Sequence, residues 1–212
     1  MSKEQRNIDF WEKVLEDLEP DYKSWFEQEK KYLGKNITKN SKVLEVGCGE
    51  GRSLKDILPI TKNLTGIDND QKAVDDAKKR FKNYPSVKII KAEAKELPFK
   101  AEEFDFVICM TTFANFGKDK FKVLEEMKRT LKKNGRIIIS VFNENAWETR
   151  SKVYKKVGAK IKELKKGRAV FEGGIVSEQF SKKELEDIFT QVDLKINDII
   201  KLKIAYICNL SK

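Results

Sequence analysis

Apolar residues along this chain recur at two periods. Short, nearly continuous runs, "KVLEVG", "NLTGID", "SVKIIKAEA", "FDFVICM" and "RIIISVF", read as strands. Longer stretches between them repeat every three or four positions, as helices packed on one face do. Leu54, Ile57 and Leu58 mark one helix, stopped near Pro59. "DQKAVDDAKKRFKNY" is a second, with Asp70 as its N-cap. "KDKFKVLEEMKRTLKKNG" is a third, closed by Gly135. "SKKELEDIF" opens on a capping box from Ser181 to Glu184. Near the start, residues 8–33 carry two helical patterns broken at Pro20. Phe10, Trp11, Val14, Leu15 and Leu18 share a face of the first. Trp25, Phe26, Glu29, Tyr32 and Leu33 follow in the second, with Gly34 as its stop.

Strands alternating with helices predict a parallel sheet wrapped by right-handed crossovers. The end of the chain departs from this. "VDLKINDII" and "LKIAYICNL" are separated by too few residues for a helix, so they predict an antiparallel hairpin. The expected architecture is α/β: a three-layer sandwich with a mostly parallel seven-stranded sheet, a C-terminal antiparallel hairpin strand, and helices on both faces. Residues 1–35 read as an N-terminal helical cap and 36–212 as the main domain. Within the latter, 143–179 has no clean period and reads as an insertion over the strand ends.

Composition narrows the chemistry. The chain has 212 residues, is 40% hydrophobic and 37% charged, and contains no histidine. A serine–histidine or cysteine–histidine hydrolase is thereby excluded, and so is the commonest metal ligand. Cys48, Cys109 and Cys208 stand singly in apolar stretches, which predicts small core residues and neither disulfides nor a metal site. No apolar run reaches membrane-span length and no leader pattern is visible, so the expectation is a cytoplasmic protein. The net charge of +10 admits a nucleic-acid or membrane-surface partner. Arginine is scarce, however, and the lysines are interleaved with acids, so a lysine-rich but ordinary surface is favoured.

"VLEVGCGEGRS" (43–53) places Gly47, Gly49 and Gly51 directly after the first strand. In an open parallel sheet that is where ligands bind, and bare backbone leaves N–H groups free to meet them. A P-loop has a lysine and a hydroxyl after its last glycine; here Arg52-Ser53 follow a shorter loop. Arg52 stands where a dinucleotide fingerprint has its third glycine, so a diphosphate cofactor is disfavoured. Asp68 ends the second strand and can accept two hydrogen bonds from a ribose diol. Glu93 and Ala94 follow the third strand, where an adenine edge would lie. Glu45 is an acid inside an apolar strand and calls for a cationic partner.

A ribose, an adenine, no diphosphate and a positive charge describe S-adenosylmethionine. On "VLEVGCGEG", "GIDND" and "AEAKELPFKAEEFDFVICM", in that order, the chain resembles the class I S-adenosylmethionine-dependent methyltransferases. The resemblance implies S-adenosyl-L-methionine as cofactor and S-adenosyl-L-homocysteine as product. It assigns Glu45, Gly47, Cys48 and Gly49 to the methionine part, Asp68 to the ribose, and Asn69, Glu93 and Ala94 to the adenine. Met110 and Thr111 would meet the methionine ammonium. No catalytic residue is assigned.

Acceptor specificity in such enzymes comes from segments outside the shared motifs. Here these are residues 1–35, Thr112 to Phe116, and 143–179. Tyr22, Trp25, Phe113, Asn115 and Trp147 are the candidate acceptor residues, with Tyr32, Phe142 and Phe171 as further cage-forming aromatics; for any one of the aromatics ordinary core packing is the alternative. The fourth strand lacks the Asn/Asp-Pro-Pro-Tyr/Phe signature of enzymes acting on planar nitrogens. A small-molecule acceptor is expected. The alternatives are RNA or protein as substrate, or a non-catalytic binder of the cofactor.

Overall fold

The computed structural model describes residues 17–165, 167–172 and 174–212. The first helical pattern, up to Leu15, lies outside them. The second becomes α1, Pro20–Asn36. Proline at its first position costs no hydrogen bond, because the N–H it lacks would be unpaired there. The helix runs through Gly34, the expected stop, and ends when Ile37 turns extended and donates to the Leu33 carbonyl.

The sheet strands are β1 (Val43–Val46), β2 (Leu64–Asp68), β3 (Lys88–Lys91), β4 (Phe104–Met110) and β5 (Leu131–Phe142). Between them lie α2 (Arg52–Ile57), α3 (Gln71–Arg80) and α4 (Lys120–Thr130). Asp70 caps α3 as expected, accepting from the Ala73 N–H. The third helix pattern, however, stops at Thr130 rather than Gly135. Its last carbonyls are taken by the N–H groups of Glu102 and Glu103, and Leu131 already pairs with Phe104. Gly135 instead lets β5 pass close to the Asp105 carbonyl, which a Cβ would approach to 2.8 Å.

Residues 143–179 are more regular than their sequence suggests. They form α5 (Trp147–Lys156) and the strands β6 (Ile161–Lys165), β7 (Arg168–Phe171) and β8 (Val176–Ser177), a separate antiparallel sheet. Arg150 of α5 is fully buried and holds this unit together. Its guanidinium donates to the Gly167 and Ser177 carbonyls, the Gln179 side chain and the Tyr154 and Ser177 hydroxyls.

The chain closes with α6 (Lys182–Gln191), β9 (Lys195–Lys201) and β10 (Ala205–Ser211). The Ser181–Glu184 capping box is formed. The main sheet has the order β3-β2-β1-β4-β5-β10-β9, with β10 antiparallel to both neighbours. This is the seven-stranded, three-layer α/β architecture expected.

Two cores lie on its opposite faces. One joins Leu44, Val46, Val107 and Ile139 to α4 and α6; the other joins Val43, Ile108 and Ile138 to α2 and α3. Glu45 shares the second face with Val43, as strand alternation requires. Helix α1 straddles both faces. Tyr22 and Trp25 pack in the first core, Leu33 and Ile37 in the second. Its middle therefore crosses the carboxyl ends of the strands, where the strand order reverses between the parallel neighbours β1 and β4. That reversal is where open α/β sheets form their ligand crevice.

Candidate functional site

The glycine loop is fastened to the end of β2. Gly47 and Cys48 both donate to the Ile67 carbonyl, at 2.9 and 2.8 Å. Gly49 donates to Asp68 Oδ2 at 2.9 Å, and Asp70 donates to Asp68 Oδ1 at 3.0 Å. Asp68 thus holds the loop open while keeping lone pairs for a diol. Burial raises its pKa above the ordinary carboxylate value, and the two backbone N–H groups oppose that rise.

The loop glycines answer to different demands. A Cβ on Gly47 would run into the side chain of Thr112, whose hydroxyl donates to the Gly47 carbonyl at 2.9 Å. Gly49 has φ +53°, yet a Cβ there would meet no protein atom within 4 Å. Its bare face opens on space, as a cradle for a ligand would. Cys48 contributes backbone only. Its thiol is buried against Gly66, and burial pushes its pKa up.

Along the same edge, Asn69 Nδ2 lies 3.4 Å from Glu93 Oε1. Ala92 donates to the Asp68 carbonyl, which brings the chain after β3 alongside the end of β2. Asp68, Asn69, Glu93 and Ala94 are therefore neighbours, with Glu93 exposed and Ala94 half-buried.

On the other side of the loop the charges are buried. Glu45 is 2% exposed, and its Oε2 has no hydrogen-bond partner. Burial is the main reason its pKa rises to about 8; Arg52, Ser53 and the Leu54 backbone favour the charged form, while Glu29 opposes it. Arg52 Nη2 donates to Glu29 Oε2 at 2.7 Å, and its guanidinium lies 3.9 Å from the centre of the Phe26 ring. Arg52 Nη1 is buried and unpartnered. Thr111 Oγ1 donates to Glu29 Oε1 at 3.4 Å. Thr111, just past Met110 at the end of β4, has φ +70°. That left-handed conformation is rare for a β-branched residue and typical of strained functional positions.

The candidate acceptor residues do not line one open site; Tyr22 and Trp25 pack on each other and on Phe142. Tyr22 and Trp25 are each 1% exposed, and Trp25 Nε1 donates to Ser140 Oγ at 2.6 Å. Phe113 is buried among Phe116, Phe180 and Phe189. Phe142 packs edge-on against Trp25. Trp147 lies against Tyr154, which packs on Phe171, so these belong to the small sheet's own core. Asn115 is half-buried in a short turn after β4, and Tyr32 is half-buried on α1. A groove of about 220 Å³ between α1 and the β9–β10 turn, lined by Asp21, Gln28 and Leu202, touches none of the glycine-loop residues.

Sequence reasoning did not place Glu29 and Arg52 beside Glu45, where the structure pairs them. One signal was available: Glu29 is an acid in the middle of an apolar helix face.

A methyltransferase-domain family model matches residues 44–139. An uncharacterized protein of Methanocaldococcus jannaschii is 34% identical over 65% of this chain and 60% of its own length. Demethylmenaquinone methyltransferase of Bacillus licheniformis is 30% identical over 65% and 62%. The chain thus spans about three fifths of the length of these curated relatives. In fold it is similar to an S-adenosylmethionine-dependent methyltransferase of Methanosarcina mazei, with TM-score 0.68 and 18% identity over 85% of this chain and 96% of that one. With the loop, the acid ending β2 and the single reversed strand all in place, residues 44–139 match a methyltransferase domain, and the fold is similar to that of S-adenosylmethionine-dependent methyltransferases.

Proposed function

We propose that this protein transfers a methyl group from S-adenosylmethionine to a nucleophile on a small molecule. The observation that carries the proposal is a buried acid with an unpartnered oxygen, Glu45, beside a glycine loop whose backbone is tied to Asp68. Such an oxygen is costly unless a donor arrives, and a cationic ligand brings one. Gly49 leaves the space for it. Asp68 would take the ribose diol, with Asn69, Glu93 and Ala94 along the adenine edge.

Bound S-adenosylmethionine supplies an activated methyl group that an in-line displacement can pass on. The protein's share is alignment and exclusion of water, worth about 7–11 kcal/mol in favourable intramolecular cases. Helix α1 roofs the strand ends, with Trp25 anchored to Ser140 and Glu29 to Arg52. This chemistry fits a chain without histidine. The similarity to a demethylmenaquinone methyltransferase supports a small-molecule acceptor. Among the described residues, no helix is long and apolar enough to cross a membrane.

The test is labelled methyl transfer into small-molecule, RNA and protein fractions. Label in the small-molecule fraction, abolished in Asp68→Ala, is the expected result. Label in RNA, with affinity falling steeply with salt, would replace the small-molecule reading. Cofactor binding with no transfer into any fraction would leave a binding protein.

A further inference from the structure

We propose that the corner from α5 into β6 is a docking surface for an anionic lipid membrane, on which the chain lies peripherally through exposed lysines and two aliphatic side chains, Ile161 and Leu164. This surface is independent of the methyl donor and of the glycine loop.

The positive charge of the chain is local. Residues 149–171 hold nine Lys and Arg against a single acid, Glu163, and so carry +8 of the net +10. The rest of the chain carries +2, with its lysines and acids interleaved. Arg150 is buried and bonded internally, so the surface charge of the segment is mostly lysine. Lys152, Lys156 and Lys160 face Glu148, Asp17 and Glu172. Lys155, Lys162 and Lys165 are exposed and have no acidic partner among the described residues.

Apolar surface stands in the same place. Among the described residues the exposed large apolar side chains are Tyr84, Ile161 and Leu164, and the last two belong to β6. They are 38% and 49% exposed. Ile161 pairs with Phe171 and Leu164 with Ala169, with a register shift between Ile161 and Glu163. That extra residue puts side chains three apart on one face, where strict alternation would oppose them. Phe171 and Ala169 pack with Tyr154 on that face, and Ile161 and Leu164 extend it onto the edge strand.

Edge strands commonly carry lysine to repel other strands. That accounts for Lys162 and Lys165 and leaves the two exposed aliphatic side chains and Lys155 of α5 unexplained. A nucleic-acid face leans on arginine forks and on open aromatic rings for stacking. Here Trp147 and Phe171 both pack on Tyr154, Arg150 is buried, and Arg168 is drawn toward Glu178. Lysines beside aliphatic side chains suit a membrane surface: the ammonium groups meet lipid phosphates while the aliphatic groups enter the headgroup boundary. The small sheet is bonded to the carboxyl ends of the main strands, with Glu178 donating to the Ala114 carbonyl and Phe180 to the Phe142 carbonyl. The docking unit thus sits at the same end of the sheet as the glycine loop.

Binding is measured by vesicle co-sedimentation at low and high salt. The vesicles are phosphatidylcholine alone, or equal parts phosphatidylcholine and phosphatidylglycerol. The wild-type chain is compared with three paired variants, all at exposed positions, with thermal unfolding as the check on folding. The wild type should bind the anionic vesicles, leave the neutral ones, and be released in part by salt. Lys162→Glu with Lys165→Glu should weaken binding about tenfold or more, and Ile161→Ser with Leu164→Ser about fivefold. Lys62→Glu with Lys82→Glu makes the same charge change at the opposite end of the sheet, before β2 and after α3, and should stay within about twofold. Sedimentation with neither vesicle would overturn the proposal, and so would equal losses in the two lysine pairs. Full binding by the aliphatic variant would overturn it too, since charge alone would then suffice. Displacement from anionic vesicles by polyuridylate would replace the lipid surface with a nucleic-acid one.

Discussion

Glu45 couples the site to stability. Its pKa rises from an ordinary 4.5 to about 8, so the folded chain holds a proton there that the unfolded chain releases. Stability from this group is fully present below about pH 4.5 and is lost as pH rises toward pH 8. Glu45→Gln cannot lose that proton. Melting temperatures measured across this range should show the variant gaining on the wild type as pH rises. A gap that shrinks with pH would mean Glu45 is ionised in the empty protein. The glycines separate folding from binding in the same way. Gly47→Ala should destabilise the fold by about 2 kcal/mol or more, since φ is +74° and Thr112 blocks the Cβ. Gly49→Ala should cost only about 1 kcal/mol in stability, for its φ of +53°, and yet lose most cofactor affinity. Denaturant melts and titrations on the two variants check the contrast.

At the scale of elements, legibility followed locality. The strands, the Asp70 cap, the Ser181 capping box and the final hairpin each leave a signature within a few residues, and each is formed. Asp68 and the loop were legible because a strand end followed by glycines already specifies a ligand edge. The small sheet was not. β6 is exposed along its whole length and β8 has two residues, so neither shows alternation. Their order comes from Arg150, a buried charge whose partners lie up to 29 residues away. Glu29 stood out on an apolar face, but its partner sits 23 residues later, beyond β1 and the glycine loop. Tyr22 and Trp25 were ambiguous between cage and core because aromatic spacing alone does not say which surface a helix presents; both are buried. Arg150→Ala would leave carbonyls of Gly167 and Ser177 without their donor. A loss of about 3 kcal/mol is expected, with hydrogen exchange rising first in residues 161–178. Uniform loosening of the whole sheet would contradict this division of labour.

At the scale of the molecule, one helix reconciles fold and site. Helix α1 contributes to the cores on both faces of the sheet, and only between those anchorages does it reach the glycine loop. Trp25→Phe keeps the apolar packing and removes the bond to Ser140. It should cost about 1 kcal/mol in stability. It should also weaken cofactor binding, because α1 roofs the strand ends beside the glycine loop. The central claim is that this crevice holds a nucleoside sulfonium and not a dinucleotide. Calorimetric titration with S-adenosylmethionine, S-adenosylhomocysteine and NAD tests it most directly. The account predicts binding of both sulfur compounds, no competing NAD site, and loss of binding in Asp68→Ala with the fold retained. Tighter binding of NAD than of either sulfur compound would contradict it.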